Sequence, residues 1–217
     1  MQGIKHGISA ALLVFILSFA WMDTAMAETS SYRNYGAVRF GLNEFNGDLE
    51  ADGYDTGGDV SVAYGRHLTP YLVLETAVNA FGTEKEMHGS TGIAGNYKRE
   101  DTIAVVALLA TIRGELPTGP LTLFAGGGVG GYLLVMHSEI STAYFDDIDE
   151  NSDDSVLGVH TVAGVKVDIT QRLFAELQGL YRWTDDIDIN ESTGSVPVRL
   201  GGNLNGYAVT LSAGFRF

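Results

Sequence analysis

The sequence predicts an all-β chain, an eight-stranded antiparallel transmembrane β-barrel. Three observations carry this. Apolar residues alternate with small or polar ones at period two. No apolar run beyond the N-terminal segment is long enough to span a membrane as a helix. Short turns and long polar loops follow one another along the chain. Composition adds exclusions. The 217 residues include 28 Gly, 10 Tyr, 10 Phe, 4 Pro and no Cys, with 45% hydrophobic and a net charge of -14. That apolar share excludes a disordered acidic tail. The charge argues against a nucleic-acid partner, because phosphate neutralisation needs Lys and Arg. Without Cys there is no disulfide scaffold, thiolate metal site or Cys nucleophile.

The first element is an address. Lys5 and His6 precede the apolar run Ile8 to Ala20, and Ala25-Met26-Ala27 places small residues before Glu28. That is the pattern of a cleaved secretory signal. The run has 13 residues, short of the roughly 20 that a spanning helix needs. Residues 1–27 are therefore expected to be removed, leaving 28–217 as the barrel domain.

Strands are expected at about 33–43, 60–68, 71–82, 102–113, 121–137, 155–168, 172–184 and 204–217. The fourth contains Ile103 to Ile112, 10 apolar-rich residues, which suits a tilted membrane strand of about 9–11. The fifth carries the glycine run of 126–131. In the sixth, Leu157, Val159, Thr161, Ala163, Val165 and Val167 oppose Gly158, His160, Val162, Gly164, Lys166 and Asp168. In the eighth, Tyr207, Val209, Leu211, Ala213, Phe215 and Phe217 form one face, against Gly206, Ala208, Thr210, Ser212, Gly214 and Arg216. A soluble sandwich would carry long charged side chains on its polar face. Small residues there suit a narrow closed barrel, whose interior must hold side chains from every strand.

The connections after strands two, four and six are short: Thr69-Pro70, Gly114 to Pro120 and Ile169 to Gln171. The others are long and rich in Gly, Asp, Asn and Ser. This is the asymmetry of an outer-membrane barrel, with both termini at the short-turn, periplasmic end. The segment 67–75 recurs 101 residues later as 168–176, two similar hairpins each with a Thr-containing turn and a Glu on the outgoing strand.

Leu72-Val73-Leu74-Glu75, Leu173-Phe174-Ala175-Glu176-Leu177, the glycines of 126–131 and the terminal Leu211 to Phe217 together give the chain its likeness. It resembles the small eight-stranded outer-membrane β-barrels, the group of the OmpA transmembrane domain and the OmpX-like and OmpW-like proteins. The resemblance covers essentially all of 28–217. It implies residence in the outer membrane of a Gram-negative cell. It also implies that Leu211, Ala213, Phe215 and Phe217 form the signal read by the outer-membrane assembly machinery.

Glu75, Lys166, Glu176, Arg182 and Arg216 fall on expected lumen faces, with Lys166 and Glu176 opposite each other across the 169–171 turn. Charges in a narrow lumen must pair. A structural network that plugs the barrel is expected over an ion path, since eight strands leave no wide channel. Asp48, Glu50, Asp52 and Asp59, with Gly53, approximate a calcium loop. Glu50 and Asp59 depart from that motif and no flanking helices are expected, so a solvated acidic loop is the plainer reading. No cofactor is expected. His137-Ser138-Glu139 supplies residue types for hydrolysis, but neighbours on a strand face opposite ways. His160 faces the lumen alone, and a non-enzymatic protein is expected. Tyr181, Trp183, Phe215 and Phe217 suit interfacial girdles.

The charge has a geography. Spans 44–59, 83–101, 138–154 and 185–203 hold 21 acidic and 4 basic residues. An acidic crown on one side of the membrane favours envelope-structural or surface-interaction roles. The expected partners are outer-membrane lipid, lipopolysaccharide and divalent cations at the loops, with the protein a monomer and no nucleic acid. An OmpW-like conduit for small or hydrophobic solutes and a lipid A-modifying enzyme are the rival functions.

Overall fold

The structure is a computed structural model that describes residues 33–46, 56–91, 95–142, 148–193 and 196–217. The signal segment 1–27 lies outside these residues. The chain forms ten strands: β1 (Asn34–Phe45), β2 (Gly57–Thr69), β3 (Leu72–Thr91), β4 (Gly95–Thr118), β5 (Leu121–Thr142), β6 (Ile148–Asp168), β7 (Leu173–Thr184), β8 (Asp186–Thr193), β9 (Val196–Asn203) and β10 (Gly206–Arg216). Eight of them close a barrel in the order β1-β10-β7-β6-β5-β4-β3-β2, every neighbouring pair antiparallel. The expected fold class is observed.

The wall is apolar outward, as lipid contact requires. Phe40, Leu42, Val62, Leu157 and Leu211 are each at least 60% exposed, while the residues between them are buried or small. β10 alternates strictly, its even positions inward and its odd positions outward.

Three differences from the sequence expectation matter. First, 185–203 is not an irregular loop: β8 and β9 pair as a hairpin from Asp186↔Asn203 to Thr193↔Val196. Second, β3 to β6 run well beyond the expected ends. Pairing of β2 with β3 stops at Gly58↔Gly82, and pairing of β6 with β7 stops at Gly158↔Thr184. Yet β3 and β4 stay paired out to Thr91↔Gly95, and β5 and β6 out to Ile140↔Ile148. Third, the β4–β5 connection is far tighter than 114–120. β4 continues to Thr118 and only Gly119 and Pro120 form the turn. Gly119 has φ +83°, at the first central position of a two-residue hairpin, where a primed turn favours glycine. Arg113 and Glu115 thus stand on a strand and share its inward face.

Candidate functional site

The lumen is filled in layers. Nearest the short turns lies a charge network. Glu75 of β3 accepts from Tyr35 Oη at 2.5 Å and from Arg39 Nη2 at 2.8 Å. The same Arg39 atom donates to Glu176 Oε1 at 3.1 Å. Arg113 Nη1 lies 3.3 Å from Glu75 and 3.1 Å from Glu176, and its Nη2 donates to Glu115 at 2.9 Å. Lys166 Nζ donates to Glu115 Oε2 at 2.6 Å, and His67 Nε2 is 3.3 Å from the same oxygen. Three carboxylates thus face two guanidinium groups and one ammonium. Each of these six side chains is almost wholly buried. Matching of charge and hydrogen bonds is what makes such burial tolerable.

Glycines make room for this layer. An added Cβ at Gly65 would fall 2.0 Å from the Tyr35 ring, at Gly214 2.1 Å from Phe174, and at Gly126 2.7 Å from Arg113 Cβ. At Gly65 and Gly214 an aromatic ring therefore lies across the glycine of the adjacent strand. The Arg113 guanidinium also sits 4.5 Å above the Phe124 ring, a favourable cation–π placement.

The middle layer is polar and includes one carboxylate, Asp59. Asn79 Nδ2 donates to Asp59 Oδ1 at 2.8 Å, and Thr111 Oγ1 is 2.8 Å from His160 Nε2. A cavity of about 20 Å³ lies here, bordered by Arg39, Glu75, Asn79, Gln178 and Thr210. That is room for about one water molecule, not a channel.

The layer nearest the long loops is apolar around one cation. Phe45, Phe81, Ile103, Val105, Tyr132 and Leu134 pack with Ile187 of β8 and Leu204 of the β9–β10 link. Arg182 bonds Asn43, donates from Nε to Leu204 O at 2.9 Å, and lies 3.8 Å from the Phe81 ring centroid. Thr184 Oγ1 accepts from Leu204 N–H at 2.8 Å, and Asn205 Oδ1 accepts from Thr184 N–H at 2.8 Å. The root of the β8–β9 hairpin is thereby tied into the barrel mouth.

Among the residues singled out from sequence, Glu75, Lys166, Glu176 and Arg182 are buried in the lumen. Lys166 and Glu176 are ladder partners, but each takes its ion pair elsewhere, Lys166 from Glu115 and Glu176 from the two arginines. Arg216 is not in the lumen network. It sits at the short-turn rim, where Nη2 is 2.5 Å from Asp168, because it stands at the last position of β10. Asp59 is not in a loop: it belongs to β2, opposite Gly41 and Phe81, and is 6% exposed. The rest of the calcium-like segment, Asp48, Glu50 and Asp52, lies outside the described residues. Among the described residues no three His, Asp or Glu side chains converge as a metal set. His160 is not alone, since it bonds Thr111. His137 and Ser138 lie in β5, in its part where side chains are outside the description. Leu211, Ala213 and Phe215 share the outward row of β10, and Phe217 follows it.

Sequence reasoning missed Arg39, Arg113, Glu115 and Tyr35. Val38, Phe40 and Leu42 on the opposite face of β1 were a usable signal for Arg39. β4 offered none: Ala107 and Leu109 are as apolar inward as Val106 and Leu108 are outward.

Comparison with known proteins extends this picture. No curated protein matches the sequence. Among solved structures, Neisserial surface protein A (NspA) is 13% identical, with 87% of this chain and 100% of that chain covered at a TM-score of 0.52. OprG from Pseudomonas aeruginosa is 10% identical, with 87% and 98% covered at 0.53. Ail, the attachment invasion locus protein of Yersinia pestis, is 9% identical, with 87% and 100% covered at 0.50. These likenesses are of fold. The family profile described as "Outer membrane protein beta-barrel domain" matches residues 10–217. The chain belongs to the outer membrane protein beta-barrel domain family and resides in the outer membrane.

Proposed function

We propose that this protein is a non-enzymatic envelope protein whose barrel is an anchor and whose long-loop end is an interaction surface. The supporting observation is a contrast between the two halves of the molecule. The lumen is closed by a neutralised charge network and an apolar cap, whereas β3 to β6 continue past the barrel as a four-stranded sheet. Beyond Gly82, β3 has no paired strand on its β2 side among the described residues. An unpaired strand edge is a template for strand addition by another protein. Of the 21 acidic residues in the long-loop spans, those other than the lumen-buried Asp59 would steer basic surfaces toward that edge and repel acidic ones. NspA and Ail carry surface and attachment in their names.

In this reading the outward row Leu211, Ala213, Phe215 and Phe217 serves recognition by the assembly machinery, and the finished protein stands as a monomer among lipid and lipopolysaccharide. The conduit reading has one supporting feature, a groove of about 650 Å³ in the outer wall bordered by Gly58, Ala80, Gly82, Thr102 and Ala104. Behind it, Phe81, Ile103 and Val105 are buried side by side, which favours a closed wall.

The test pairs two measurements. Planar-bilayer recordings are expected to show no discrete conductance. Binding of basic extracellular proteins to cells is expected to fall when 84–100 is replaced by a tight turn. Steady conductance in the unmodified protein, or binding indifferent to that replacement, would reject the proposal.

A further inference from the structure

The short-turn end carries a basic arc on one half of the rim. Arg172 precedes β7, Arg216 ends β10, Arg33 precedes β1 and Arg66 lies near the end of β2. These four strands are consecutive around the barrel. Backbone hydrogen bonds set the positions side by side. Arg216 N–H donates to Arg172 O at 2.8 Å, Phe217 N–H to Asn34 O at 2.9 Å, and His67 N–H to Arg33 O at 2.8 Å. Asn34 is the ladder partner of Arg66. Asp168, bonded to Arg216, is the acidic side chain at this rim among the described residues. Arg33, Arg66 and Arg172 each keep an interaction within the protein. The other half of the rim, where β3 to β6 begin or end, presents Leu72, Thr118, Leu121 and Val167 and, among the described residues, no arginine or lysine outside the lumen.

An apolar surface adjoins the arc on the lipid side. Phe215, Phe217 and Leu173 are 43%, 55% and 46% exposed. The Phe217 ring is 6.3 Å from Tyr64 and 6.5 Å from Phe215. Arg66 shares the outward row of β2 with Tyr64. At Arg66 positive charge adjoins the outward aromatic surface, while Arg216 lies over the inward-facing Phe174 ring at 5.1 Å; charge beside an apolar face suits an amphipathic anion better than a soluble one. Short turns face the periplasm in barrels of this kind, so the arc stands at the headgroup level of the inner leaflet.

We infer that this arc is a binding site for an anionic phospholipid of the periplasmic leaflet. Its phosphate engages the arginines, and its acyl chains lie along Phe215, Phe217 and Tyr64. A guanidinium offers paired donors to a phosphate. Basic side chains near an anionic headgroup layer gain affinity roughly additively, about fivefold for each.

The test uses the full folded chain in detergent micelles, with native mass spectrometry and equal amounts of phosphatidylglycerol and phosphatidylethanolamine of identical acyl chains. The wild type is expected to retain phosphatidylglycerol with about tenfold preference or more. Combining Arg33→Gln, Arg66→Gln and Arg172→Gln is expected to abolish that preference, while Lys85→Gln at the opposite end leaves it intact. A boiled-versus-unboiled gel shift establishes that each variant is folded. If the triple variant fails to fold, Arg172→Gln alone is expected to lower the preference about fivefold. A photoactivatable phosphatidylglycerol is expected to label 64–72, 172–173 and 215–217. Equal retention of both lipids, an unchanged preference in the variants, labelling at the long-loop end, or displacement of the lipid by peptidoglycan fragments or acidic peptides would overturn the inference.

Discussion

Glu75 and Glu176 stand on diametrically opposed strands, β3 and β7, yet both are held by the same two arginines, Arg39 and Arg113. The network is therefore a cross-brace. It ties opposite walls as well as the neighbouring strands β3 and β4 that the ladder already joins.

Arg113 touches three carboxylates and Arg216 only one, at the rim. Arg113→Met is expected to destabilise the barrel by about 3–5 kcal/mol, because it leaves buried carboxylates short of a partner. Arg216→Met should cost under about 1 kcal/mol, as a part-exposed pair does. Urea unfolding in lipid vesicles, followed by the gel shift, measures both. Equal costs would show that the lumen network does not brace the walls.

Glycines offer a steric test. Gly65→Ala places a methyl 2.0 Å from the Tyr35 ring, whereas Gly131→Ala meets nothing nearer than Leu157 at 4.0 Å. The first should cost about 1–3 kcal/mol as overpacking, the second less than about 0.5 kcal/mol. The same unfolding assay reads the difference.

These two sets of residues mark how far the sequence was legible. Period-two patterning placed the barrel strands and the inward faces of β6, β7 and β10, because lipid outside and small residues inside differ sharply in polarity. It failed where that contrast vanishes. The inner face of β4 is apolar at Val105, Ala107 and Leu109, so nothing announced that Arg113 points inward. Glu115, flanked by Gly114 and Pro117, read as part of a turn. The outer reaches of β3 to β6 carry Glu84, Lys85, Glu86 and their like. Strands past the lipid boundary have no apolar face to show, and their polar sequence reads as loop.

The lipid-facing wall makes a third prediction. Val62 is 60% exposed and its neighbour Ser61 is buried inward. Val62→Lys should cost about 2–4 kcal/mol near the bilayer midplane, and Val62→Leu should be nearly neutral. Refolding yield and unfolding midpoints in vesicles distinguish them; a tolerated lysine would place this row outside the membrane.

Leu204 and Ile187 seal the long-loop end, both buried to within 2% of complete. Leu204→Ala is expected to cost about 2–5 kcal/mol and to speed proteolysis within 186–203. It should leave bilayer conductance at zero, because the Arg39–Glu75–Arg113–Glu176 network still crosses the lumen. A rise in conductance from this one change would identify the cap, rather than the charges, as the barrier.

Arg39 comes from the first strand, and its partner Glu176 stands 137 residues further along the chain. No partly assembled barrel can satisfy both ends of that bond. Until β10 closes onto β1, the guanidinium and carboxylate groups must stay hydrated, and a water-filled half-barrel cannot rest in hydrocarbon. The network thus couples charge neutralisation to ring closure. An incomplete barrel is penalised as a whole rather than strand by strand. Once closed, opening requires several buried ions to find water at the same time, so the finished protein is expected to persist through a slow unfolding rate as much as through its equilibrium stability.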